Sequence, residues 1–105
     1  ADESLIHDMG EEMTLKSVLV RMLHSRKDKI LPPSSLSLYT SMDGENYTLR
    51  QILSCPAFPN DRHDTFVDNV YLDKFEPVPA RYVKISFNAD SRAAFDRLVI
   101  NPDLD

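Results

Sequence analysis

Arg26, Arg62, His63 and Arg92 carry planar hydrogen-bond donors that fall between the apolar runs of the chain, with Lys27, Lys29, Asn60 and Phe58 beside them. Guanidinium, imidazole and amide groups bind hydroxyls in a fixed plane, and an aromatic face packs against the C–H side of a sugar ring. These types together suit a polyhydroxylated or acidic ligand. Their plainer role is a charged rim that keeps loops in water, with Phe58, between Pro56 and Pro59, tucked against the edge of a core.

Catalytic chemistry finds less support. Gly-x-Ser-x-Gly, His-Glu-x-x-His, a P-loop and a Gly-rich dinucleotide turn are all missing from the sequence, so no catalytic residue is expected and the chain reads as a non-enzyme. Cys55 and His63 are the types of a nucleophile and base, but nearness in sequence is not hydrogen-bond geometry. A lone Cys55 can form neither an internal disulfide nor a CxxC zinc site, and it reads as a small apolar residue. Asn60, Asp61 and Asp64 offer hard oxygens of the kind calcium takes, yet such a run is more often a solvated acidic loop. Glu11 and Glu12 read the same way. No metal and no cofactor is expected.

Composition narrows the partners. The 105 residues suffice for one hydrophobic core without metals or disulfides, and 42% hydrophobic with 28% charged residues is ordinary for a soluble globular chain. We therefore expect residues 1–105 to form one domain. A net charge of -5 argues against nucleic acid, which needs a basic footprint. The longest apolar run, Leu98-Val99-Ile100, is far short of the roughly 18 residues of a membrane span, and the start lacks a signal peptide's basic residues.

The elements that must position the polar set are strands. Seven prolines against two glycines break the chain into short apolar runs. Most runs alternate with period two: Val18, Val20 and Met22; Leu36 and Leu38 among Ser35, Ser37 and Thr40; Val83, Ile85 and Phe87 between Tyr82, Lys84 and Ser86. Tyr47 to Leu53, Phe66 to Leu72 and Phe95 to Asn101 read alike, and a weaker strand covers Leu5 to Asp8. A helix over Ser91 to Leu98 competes, but β-branched Val99 and Ile100 speak against it. One parity of these strands gives the expected core: Val18, Val20, Leu36, Leu38, Phe66, Val83, Ile85 and Leu98. The aromatic residues Tyr39, Tyr47, Phe66, Tyr71, Tyr82, Phe87 and Phe95 are expected in that core too. Asp43-Gly44 marks a hairpin tip with Gly44 at positive φ.

Antiparallel strands send successive connections to alternate ends. Gly10 to Met13, Met42 to Asn46 and Asp73 to Pro79 then share one end, and His24 to Pro33, Cys55 to Asp64 and Asn88 to Ala93 share the other. The second end gathers the basic residues named above, and the first gathers most of the isolated acids.

Three stretches, in this order and spacing, resemble the discoidin family, the coagulation-factor C-type domain of the galactose-binding-like superfamily. They are His7-Asp8-Met9-Gly10 leading to Thr14-Leu15-Lys16-Ser17-Val18, then Leu36 to Tyr47 with its Ser41-Met42-Asp43-Gly44 turn, then Phe75 to Ile85 with Ala80-Arg81-Tyr82-Val83. The flavour is similar to the version appended to bacterial glycosidases such as hexosaminidases, in which a Leu-Pro step like Leu31-Pro32 precedes the hairpin strand. The family's strands ahead of the Asp-Leu-Gly stretch have no counterpart, and the chain has no Trp. The resemblance implies an all-β, antiparallel jelly-roll β-sandwich with ligand-contacting loops at the second end. It further implies a non-catalytic accessory module of a larger secreted glycan-processing protein, binding carbohydrate weakly or acting as a rigid spacer beside a catalytic domain of the same chain. Its place would be extracellular, periplasmic or on the cell surface. A protein-interaction or adhesion module is the alternative, because one fold hosts many functions.

Overall fold

The computed structural model describes residues 2–25, 33–55, 66–88 and 94–102. Seven strands follow one another: β1 (Asp2–Leu15), β2 (Val18–His24), β3 (Ser35–Ser41), β4 (Thr48–Ser54), β5 (Phe66–Leu72), β6 (Val78–Asn88) and β7 (Ala94–Ile100). They form a four-stranded sheet in the order β1-β6-β3-β4 and a three-stranded sheet in the order β5-β2-β7. Every pairing is antiparallel. The protein is an all-β sandwich, and no helix among the described residues is long and apolar enough to cross a membrane.

Strand parity builds the core. Val18, Val20 and Met22 point inward from β2, Leu36 and Leu38 from β3, and Val83, Ile85 and Phe87 from β6; all are buried, with Leu15, Leu72 and Ala80. Fully burying a side chain such as Leu38 or Ile85 contributes about 1.5–3 kcal/mol relative to exposure. Leu98 and Ile100 of β7 pack on this cluster half-buried. Phe87 meets Phe95 edge-on across the two sheets, ring centroids 4.7 Å apart at 62°. The side chain of Phe66 lies outside those described.

The region over Ser91 to Leu98 is not helical where it is described: β7 pairs with β2 from Leu23↔Ala94 to Val18↔Ile100. Pairing there covers an apolar strand that an isolated helical turn would leave open.

The expected turn at Gly10 to Met13 is instead a bulge inside one continuous strand. β1 pairs with β6 on both sides of it, at Asp8↔Tyr82 and Met13↔Ala80, and the intervening residues loop out. Asp8 holds the bulge in place. Its Oδ1 accepts the Gly10 N–H at 2.8 Å and the Arg81 Nε–H at 3.0 Å, while Arg81 Nη2 donates to Oδ2 at 3.3 Å. Gly10 sits at φ +85°, a region that glycine enters without a Cβ penalty.

The tyrosines also depart from expectation. Tyr39 lies between inward-facing Leu38 and Thr40, so parity sends it to the outer face, where it pairs with Lys84. The Lys84 ammonium stands 4.8 Å from the Tyr39 ring centroid and 4.5 Å from that of Tyr47, a cation held between two π faces. Tyr71 is exposed for the same reason of parity. Among the described aromatic side chains, the core proper receives Phe87, with Phe75 and Phe95 packed against the cluster.

Candidate functional site

The register sets the ends of the sandwich. Val18 of β2 pairs with Leu72 and Ile100, and His24 pairs with Phe66, so the close of β2 and the start of β5 share one end. Leu36↔Phe87 brings the start of β3 to the close of β6, and Ser35↔Ser54 adds the close of β4. The feet of the three connections expected to gather at the second end therefore do gather there.

Hydrogen bonds tie these feet together. The Cys55 N–H donates to the Ser34 carbonyl at 2.9 Å. Ser34 N–H donates to Asn88 Oδ1 at 3.1 Å, and Asn88 Nδ2 donates to Ser34 Oγ at 2.7 Å. One side chain, Asn88, thus joins residues 54 positions apart and satisfies the backbone where β3 begins. Below this clasp, His24 and Ser25 are buried, and His24 Nε2 lies 3.6 Å from Asp68 Oδ2. Cys55 is half-buried; burial, and then the Asp68 charge, push its thiol pKa up, which disfavours the thiolate a nucleophile needs. The ligand residues expected from sequence, Arg26, Lys27, Lys29, Phe58, Asn60, Arg62, His63 and Arg92, and the acidic run at Asn60, Asp61 and Asp64, all lie outside the described residues.

The opposite end is closed by local chemistry. In the β3–β4 hairpin, Asp43 Oδ1 accepts the N–H groups of Glu45 and Asn46, each at 2.8 Å, and the Ser41 hydroxyl at 2.9 Å. Asn46 Nδ2 donates to Oδ2 at 2.7 Å. The two backbone N–H bonds foremost hold the Asp43 carboxyl far below the usual carboxylate range, so it stays ionised. Gly44 follows at φ +78°, as the Asp-Gly step predicts, and its Cα lies against the Tyr82 ring: a Cβ there would meet Cζ at 3.2 Å. The three stretches that carry the family resemblance meet here. Tyr82 pairs with Asp8 on one side and Ser41 on the other, and Arg81 grips Asp8. Their spacing is explained by how β1, β6 and β3 fit together, with no ligand required.

Sequence reasoning missed two residues at this end. Asn101, at φ 49°, accepts the N–H groups of Lys16 and Ser17 on Oδ1 at 2.7 and 3.3 Å and donates Nδ2 to the Thr14 carbonyl at 2.9 Å. It clips the β1–β2 connection to the end of β7. The available signal was an Asn closing a strand, since Asn tolerates the left-handed region. Arg50 was the other, and it lines an open hollow of about 200 Å³ with Thr40, Ser41, Met42, Asp43, Asn46, Thr48 and Pro79. Among the described residues, no three His, Cys, Asp or Glu side chains stand together as a metal site.

No protein-family model matches the chain, and no curated protein sequence matches it. Among solved structures it is similar to the C-terminal domain of a chitobiase from Bacteroides fragilis, with a TM-score of 0.66 and 17% identity. The match covers 96% of this chain and 63% of the other, so the chain spans less than two thirds of that neighbour's length. At this identity the likeness is one of fold.

Proposed function

We propose that this chain is a non-catalytic accessory module of a larger secreted glycan-processing protein, presenting its loop end to a glycan while the sandwich holds that end rigidly beside a catalytic domain. The observation that carries the reading is the shared fold with the chitobiase C-terminal domain over nearly the whole chain. Fold alone does not fix function. The clasp of Ser34, Cys55 and Asn88 supports a use for the loop end, because it gives three connections a common, rigid base. Those connections carry Arg26, Lys27, Lys29, Arg62, His63 and Arg92, a basic set on a chain of net charge -5. Guanidinium forks pair with acidic groups on a glycan in two parallel bonds, so acidic oligosaccharides are the preferred class, bound weakly.

Titrating acidic and neutral oligosaccharides into labelled protein, and following amide shifts, tests this. Shifts at Ser25, Ser34, Cys55 and Asn88 that lead into the basic connections, stronger for the acidic sugars, are expected. An absence of shifts at that end with every glycan would leave the spacer role and discard the binding role.

A further inference from the structure

We propose a second saccharide site at the hairpin end: the hollow between Arg50, Asp43 and Thr48 takes one neutral sugar ring by a pair of adjacent hydroxyls. It is separate from the loop end and stands or falls independently of it.

The argument starts from a bulge. Tyr39 pairs with Leu49 and Leu38 with Gln51, so Arg50 is the extra residue of β4 at that point. A bulge re-aims a side chain that regular alternation would send elsewhere. Here it turns Arg50 to the inner rim, where Nε donates to the buried Thr40 Oγ1 at 2.8 Å. That bond fixes the plane of the guanidinium. Among the described residues Arg50 makes no ion pair, and it lines the hollow with its Nε held by Thr40. A half-buried, oriented and uncompensated guanidinium is a binding element in want of an acceptor.

The rest of the lining selects the ligand. Asp43 borders the same hollow and is ionised, yet forms no ion pair with Arg50. Donor and acceptor are thus held apart, each immobilised by other bonds. An anion entering beside Arg50 would meet the Asp43 charge; a diol accepts from the guanidinium through its oxygens and donates a hydroxyl proton toward Asp43 Oδ2, which has one protein donor. The Thr48 hydroxyl and the amide of Asn46 add further partners, and exposed Met42 with Pro79 offers an apolar surface to ring C–H groups. At about 200 Å³ the hollow suits a single ring, being smaller than the roughly 300–1,000 Å³ of pockets for larger ligands.

The test is a titration of methyl β-galactoside, methyl β-glucoside and, as the anionic comparison, glucuronate, followed by amide and arginine Nε–H resonances. At least one neutral glycoside should shift Asn46, Thr48 and the Arg50 Nε–H, and should bind more tightly than glucuronate. Arg50→Lys, which keeps the charge but removes the fork, should weaken binding at least tenfold. Thr48→Val leaves the Arg50 to Thr40 bond intact and should weaken it as well. Unchanged affinity in both variants, tighter binding of glucuronate, or no shift at Asn46, Thr48 and Arg50 with either neutral glycoside overturns the site. Shifts confined to Ser34, Cys55 and Asn88 would also overturn it while leaving the loop-end reading standing.

Discussion

At the hairpin end Asp43 gathers four donors from Ser41, Glu45 and Asn46, all within three residues of itself, whereas at the loop end Asn88 reaches Ser34 across 54 positions. Both arrangements satisfy backbone N–H groups at strand ends, where regular pairing stops. They differ in what must form first. The Asp43 turn needs only its own segment, so it is available to the chain before the sheets meet. The Asn88 clasp exists only once β3, β4 and β6 lie side by side, so its strength depends on the fold it helps to hold. The hairpin end therefore acts as a preset corner and the loop end as a seam closed last.

Gly44→Val is the strongest way to break the preset corner. Gly44 holds φ +78°, and a Cβ would stand 3.2 Å from the Tyr82 ring. A β-branched residue in that region costs about 1–3 kcal/mol, with displacement of the ring in addition. Denaturant melts should show a lowered midpoint at unchanged slope. The same change at Gly10, φ +85° with nothing within 4 Å of a Cβ, should cost less because only the backbone objects. Equal losses at the two glycines would remove Tyr82 packing from the account.

The contrast between the ends also explains what could be read from the residues alone. Period-two alternation placed Val18, Val20, Leu36, Leu38, Val83 and Ile85 in the core, because parity is a local property. Asp43-Gly44 announced its turn for the same reason. Long-range devices left no such mark: nothing beside Asn88 points to Ser34, and nothing beside Asp8 points to Arg81, whose grip turns an apparent turn into a bulge of β1. Tyr39 looked like core because it is aromatic, yet its parity and Lys84 decide otherwise. Arg50 hid behind a register shift that only pairing with β3 reveals. At the loop end the residues' types could be named, and antiparallel order brought their feet together.

Asn88→Ala probes the seam. It removes the acceptor for Ser34 N–H and the donor to Ser34 Oγ, both partly in water, so a loss of about 1 kcal/mol is expected. The sharper reading is local: hydrogen exchange at Ser34 and Cys55 should quicken while the amides of Glu45 and Asn46 keep their protection. Uniform acceleration at both ends would mean that the two corners open as one unit, and the distinction between preset corner and late seam would fail.

Acid separates the ends by a smaller effect. The folded protein holds the Asp43 carboxyl far below its unfolded value, chiefly through the Asn46 and Glu45 N–H bonds, and holds Asp8 down through Arg81 and Gly10. A carboxyl with a depressed folded pKa binds fewer protons in the folded state than in the unfolded state. Its contribution is therefore fully present above the unfolded pKa of about 3.9 and is lost as pH falls toward the folded value. Stability should decline below about pH 4. Because both groups are exposed, each effect is modest and is weakened by salt. Asp43→Asn removes one titrating group while keeping an acceptor oxygen, so its unfolding midpoint should fall less steeply with acid than that of the natural chain. Asp8→Asn should flatten the remaining slope in turn. The hairpin amides of Glu45 and Asn46 should lose exchange protection on acidification before those of Ser34 and Cys55, whose N–H groups donate to an amide oxygen and a carbonyl that do not titrate there. Parallel acid slopes for Asp43→Asn and the natural chain would show that the Asp43 turn keeps its bonds when protonated, and that charge is not what presets the corner.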